Sequence, residues 1–219
     1  MNASVTLASH IDGADLKVYL ERAERLGCEH VHLIAMGPAV VPYVAVLTPA
    51  GLLDQAPTVL GVRVFARHVA PVSDAGTVDT VVQVRAVLDR LAHDQQNIPL
   101  PIPQPGVPWA GVTPPQTDWH VVGSIPVSQL ATIATTGIAE VAAANGLGTN
   151  IVQTVRQEVW GRPIADAPSR VPAGAAFAAL GLGFLGAEKD ALVSAELAQI
   201  STSGAWTRVS TERGHVLVK

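Results

Sequence analysis

Residues 179–190 read ALGLGFLGAEKD, and Gly181, Gly183 and Gly186 within them spell G-x-G-x-x-G. A dinucleotide fingerprint of this form would make the chain a doubly wound α/β protein. That turn joins a strand to a helix and is followed by an acid about 20 residues later. Here the preceding segment, VPAGAAFAAL (171–180), is mostly alanine, with Pro172 placed to open a helix; it is a poor strand and a good helix. Position 201 is Ser201, and the next acid is Glu212. Gly181 and Gly183 then loosen or end an Ala-rich helix packed against a neighbour. The match is accidental, and no cofactor is expected.

Outward from this stretch the chain mixes helices and strands without strict alternation. Downstream, LAQISTSGAWTRVSTERGHVLVK (197–219) holds three short apolar runs divided by Ser203-Gly204 and Arg213-Gly214, which predicts an antiparallel meander. Upstream, NIVQTVRQEVWGRP (150–163) opens with the capping-box spacing Asn150/Gln153, carries Val152, Val155 and Val159 on one stripe, and stops at Gly161 and Pro163. IPVSQLATIATTGIAEVAAAN (125–145) is a second helix, with Val127, Leu130, Ala134, Ile138 and Val141 on one face. Gln129, Thr132, Thr136 and Glu140 fall on the other face. WHVVGSI (119–125) precedes it as a strand.

In the first half, DGADLKVYLERAERLG (12–27) predicts a helix N-capped by Asp12. Its stripe is Leu16, Tyr19, Leu20, Ala23 and Leu26, with a Glu21–Arg25 pair on the wet side and a stop at Gly27. EHVHLIAM (29–36), VVPYVAVL (40–47) and TVLGVRVFARHVA (58–70) read as strands. In the last of these, Val62, Val64 and Ala66 alternate with Arg63, Phe65 and Arg67. VVQVRAVLDRLAHD (81–94) runs from a short strand into a helix ending near His93. The expected fold is α+β, a mixed or mainly antiparallel sheet packed with helices.

Seven of the sixteen prolines lie between Ile98 and Trp119, several at every second position. Such a stretch lacks ladder donors and adopts an extended, polyproline-like form. It divides the chain into an N-terminal α/β half (1–97), a proline-rich connection (98–118) and a C-terminal α+β half (119–219), the halves expected to pack as one unit. Trp109 and Trp119 flank it as aromatic anchors of a docking arm. Equally, the connection drapes over its own domain and tucks both indoles inward. Arg156, Trp160 and Arg162, near a helix end, read as an anion or aromatic-stacking site, or as arginines complementing the helix dipole.

Other chemistry is sparse. His30 and His32 form an H-x-H on a strand, with both rings on one face, the spacing of a metal pair to which His68 or His120 could add a third ligand. No acid–histidine cluster accompanies them, and paired histidines lining a half-buried sheet are the simpler account. Cys28 follows the helix-ending Gly27 with no activating neighbour in sequence. Neither G-x-S-x-G nor a P-loop lysine motif occurs.

Composition sets the remaining bounds. Hydrophobic residues make up 48% and charged ones 15%, which excludes a disordered chain. Between Leu33 and Leu53 the uncharged stretch is broken by three prolines and two glycines, so a membrane helix is not expected. The net charge of −4 and the dispersed arginines argue against nucleic acid as partner. A single cysteine and the absence of a basic, apolar leader point to the cytoplasm.

The stretches PWAGVTPP, GIAEVA, EVWGRP, VPAGAAFAALGLGFLG and RGHVLVK are similar to those of an uncharacterised family of actinobacterial hypothetical proteins, from about Pro108 onward and more weakly before. The resemblance implies an actinobacterial cytoplasmic protein and carries over no activity, cofactor or site residue. The expected role is a non-catalytic module that binds a protein or a small ligand and associates with itself. The alternative is a small-molecule enzyme, metal-assisted through His30 and His32.

Overall fold

The computed structural model describes residues 4–49, 51, 54, 56–69, 77–144, 146 and 148–219, without the side chains of 149 and 150. Along the chain run β1 (Ser4–Thr6), α1 (His10–Arg25), β2 (His30–Met36), β3 (Ala39–Leu47), β4 (Val59–Val62), β5 (Phe65–Ala66), β6 (Val78–Gln83), α2 (Val84–His93) and β7 (Asn97–Pro99). A 3-10 turn over Pro108–Gly111 leads to β8 (His120–Pro126), α3 (Val127–Ala143), α4 (Thr149–Gly161), α5 (Ala173–Gly181), α6 (Glu188–Ala191), β9 (Leu197–Ser203), β10 (Trp206–Thr211) and β11 (Gly214–Val218). The protein is α+β, with antiparallel strand pairs and the C-terminal meander expected from its turns. It divides into two compact units, Met1–Val46 with Val62–Thr113, and Leu47–Gly61 with Pro114–Lys219.

In the first unit, β1–α1–β2 and β6–α2–β7 exchange strands. β6 lies antiparallel to β2 and β1 antiparallel to β7, so the first strand of each segment pairs with the last of the other. β3 continues from β2 and carries β5. Helix α1 begins earlier than its sequence implies. Ser9, not Asp12, is its N-cap: the Ser9 hydroxyl accepts from the Asp12 amide at 3.2 Å and donates to the Asp12 carboxylate at 2.6 Å. Leu16, Tyr19, Leu20 and Ala23 are buried as the stripe predicted, while Glu21 pairs with Lys17 rather than Arg25. Gly27, at φ 84°, ends the helix. The strand expected over 58–70 is broken at Arg63 and Val64. Val62 and Phe65 are both buried, and Val64 is exposed. The inward phase thus reverses midway, where Arg63 pairs with Asp15 at 2.7 Å.

In the second unit the strand order is β4-β11-β10-β9-β8. Thr58 and Lys219 exchange backbone hydrogen bonds, both 3.0 Å, beside β4 and β11. The Ala-rich segment is indeed a helix: α5 starts after Pro172, and all but Phe177, Leu180 and Gly181 of its residues are buried. A helix, not a strand, precedes the glycine pattern, and Gly183 (φ 79°) and Gly186 (φ 86°) shape the turn that follows it.

Small residues let the helices of this unit approach. Trp160 lies 4.4 Å from Phe177 in a stacked pair, and a Cβ on Gly137 would fall 2.4 Å from the Trp160 ring. Ile138, read as part of the inward face of α3, is 43% exposed, because the indole takes the space beside Gly137. The Asn150 side chain of the expected capping box lies outside the described residues; Gly148 is the N-cap of α4.

Candidate functional site

β8 is the outer strand of its unit, paired among the described residues with β9 alone. The register runs from His120–Thr202 to Pro126–Leu197 and slips between Val121 and Gly123, so Val122 is an extra residue on this strand. Such a bulge puts two successive side chains outward instead of one. Val121 is 60% and Val122 42% exposed. Gly123 permits the irregularity: its φ is 156°, and a Cβ there would meet the Pro168 ring at 2.8 Å.

Trp119 leads into this strand and is half-buried. Its indole N–H donates to the Pro115 carbonyl at 3.0 Å, and the Arg208 guanidinium lies 4.4 Å from its ring centre. Arg208 Nε in turn donates to Ser201 Oγ at 3.3 Å. Burial pulls the Arg208 guanidinium below its ordinary value. Pro115, the indole and β10 thus hold one another at the start of β8. Trp109, in the 3-10 turn of the first unit, is also half-buried.

Of the remaining candidates in the second unit, Arg162 borders a groove of about 690 Å³ along α3. Its floor includes Ile133, Val159, Ile164 and Ala173, and the polar wall is the α3 row Ser128, Thr132, Thr136 and Glu140. These positions share a face because they recur every fourth residue. Arg162 closes one end with two hydrogen bonds to Glu140, 2.8 and 2.6 Å. Those bonds hold the Glu140 carboxyl below its ordinary range. Trp160 lies beneath, 3% exposed, where it offers no surface to a partner. Arg156 is exposed on α4.

In the first unit, His32 is 7% exposed, and its Nε2 lies 2.6 Å from Asp79 Oδ1. The Tyr43 ring centre is 6.1 Å from it. His30 stands at the start of β2, half-buried. Among the described residues no group of three His, Cys, Asp or Glu side chains could hold a metal ion. Cys28 is buried, its Sγ 3.2 Å from the Ala45 carbonyl, and burial pushes the thiol up to about 12. No described helix is long and apolar enough to cross a membrane.

Sequence reasoning missed Val121, Val122 and Arg208. The valines' exposure depends on strand order and a bulge, neither written in a period-two pattern. The arginine between Thr207 and Val209 was visible, but only the fold brings Trp119 to it.

Two family descriptions match the chain: a domain of unknown function (DUF8010) over residues 1–111 and a domain of unknown function (DUF8185) over residues 114–219. No curated protein matches. Among solved structures the chain is similar to the DNA polymerase sliding clamp of Caulobacter crescentus, at 11% identity and a TM-score of 0.47, covering 99% of this chain and 65% of that one. It is also similar to the Helicobacter pylori beta clamp in complex with 3,4-difluorobenzamide, at 12% identity and a TM-score of 0.47, covering 100% and 64%. The chain spans a little under two thirds of the length of these clamps.

Proposed function

Since the chain belongs to the family described as a domain of unknown function (DUF8010), matched over residues 1–111, we propose its role from geometry: a non-catalytic interaction module that associates with itself through β8. The observation that carries this is the uncapped outer strand with Val121 and Val122 exposed. A strand edge presents unpaired N–H and C=O groups, which natural proteins blunt with charge, proline or a bulge. β8 reads HVVGSIP and contains no lysine, arginine or acid. A second copy of the same strand supplies matching backbone groups and an apolar face around a two-fold axis. Trp119, fixed on Arg208, stiffens the start of the strand and lowers the entropic cost of docking.

The resemblance of the sequence to actinobacterial proteins and the single protonated thiol support an actinobacterial cytoplasm as its setting. The groove along α3 favours a second role, since its volume suits a small molecule and its one ion pair leaves the lining neutral.

Native mass spectrometry of the protein at micromolar concentration tests the proposal. A dimer is expected, and Val121→Lys, which places a charge on the edge, should give a folded monomer whose melting temperature falls only by the lost association. A monomeric parent protein, or a dimer that persists in Val121→Lys, overturns it. A retained metal lost on replacing His30 and His32 by alanine would instead favour metal-assisted chemistry.

A further inference from the structure

We infer a binding site for a small oxyanion on the face of the meander that carries Arg208, Ser210 and His215. Strand register assembles it. Ser210 lies opposite His215 on β11 and opposite Gln199 on β9, while Arg208 lies opposite Leu217 and Ser201. With a side-chain period of two, Arg208, Ser210, His215 and Gln199 emerge on one face. Diagonal neighbours of this kind stand about 7–8 Å apart along the sheet, within reach of a long side chain such as Arg208.

Two deficits on that face point to the ligand. Arg208 is a half-buried cation whose Nε is committed to Ser201 and whose ring contact is Trp119. Among the described residues no carboxylate forms an ion pair with it. Desolvating a charge without a counter-ion is costly, so the position has a standing demand for negative charge. His215 Nδ1 is buried and has no hydrogen-bond partner. A bound oxyanion supplies the missing negative charge: it accepts from the terminal guanidinium nitrogens in a two-oxygen fork, with the Ser210 hydroxyl and the His215 ring on the same face as further donors. Trp119, 4.4 Å from the guanidinium carbon, restrains where that group can lie. The site does not depend on self-association through β8.

The test is a titration of the whole chain with inorganic phosphate, and separately with acetate, at constant pH. It is followed in 1H–15N spectra by the Trp119 indole and His215 ring resonances. Saturable shifts in at least one titration are expected, with the Trp109 indole unmoved; phosphate alone would mark a tetrahedral ligand and acetate alone a planar carboxylate. Arg208→Gln should weaken binding about tenfold or more, as expected for losing a charged hydrogen bond. His215→Gln serves as a second variant should Arg208→Gln not fold. Shifts that grow linearly without saturating for both anions, or saturation unchanged in a folded variant, would overturn the assignment.

Discussion

Cys28 and His215 show what burial does to single titratable groups. The thiol of Cys28 points to the Ala45 carbonyl, and with its ionisation pushed up to about 12 it has almost no thiolate at neutral pH. Native protein should therefore resist iodoacetamide at pH 8, and the same thiol should alkylate promptly in denaturant. Rapid native labelling would show the pocket to be open. His215 is shifted the other way: burial first, then the nearby Arg208, lower it from its ordinary value of 6.5. The unfolded chain then binds the proton more readily, so its contribution to stability is complete above about pH 6.5 and is lost as pH falls toward the folded value. Urea midpoints measured in phosphate-free buffer should decline below that pH, and His215→Gln should remove part of the decline. Neither environment was legible in sequence. Cys28 was visible as a residue after a helix stop, but its apolar surroundings come from strands β2 and β3 folding back on α1, and His215 acquires Arg208 only through register.

At the scale of the element, α3 and α5 were read almost correctly, and the error at Ile138 is instructive. A helical wheel ranks positions by hydrophobicity, so it places Ile138 inward and gives Gly137 no weight. The packed unit reverses them. The indole of Trp160, stacked on Phe177, needs the empty space above Gly137, and the larger isoleucine turns outward. Gly137→Ala puts a methyl 2.4 Å from a ring atom that is fixed by stacking. A loss of about 1–3 kcal/mol is expected from such overpacking. Gly111→Ala, whose Cβ would meet nothing within 4 Å, is the control, and equal melting temperatures for the two variants would refute the packing account. Strand β8 teaches the complementary lesson. Its existence followed from WHVVGSI, while its bulge and outer position did not, because alternation names the inward residues of a strand and says nothing of its neighbours. The break after β4 is equally silent in the pattern: Arg63 and Val64 interrupt the ladder where the alternation runs on.

For the whole molecule, the α+β class and the C-terminal meander were written in turn residues and apolar spacing. The crossing of residues 47–61 into the second unit was not, since those residues pair with the chain's far end and loop length leaves no local mark. One family match begins at residue 114, yet the unit it covers also contains Leu47–Gly61. A fragment of residues 114–219 lacks β4, whose residues are all buried, and lacks Leu47, whose side chain lies 2.5 Å from where a Gly174 Cβ would stand. It should expose the flank of β11 and melt without a sharp transition, and a synthetic peptide of residues 47–62 should restore cooperativity. A fragment that melts as sharply as the full protein would show β4 to be dispensable. Biosynthesis meets the same dependence in time. At about 5–20 residues per second, the strand around Val59 leaves the ribosome roughly ten to thirty seconds before its partner at Lys219 exists. For that interval the flank of β4 that receives β11 stays open, an apolar edge whose partner has yet to be made.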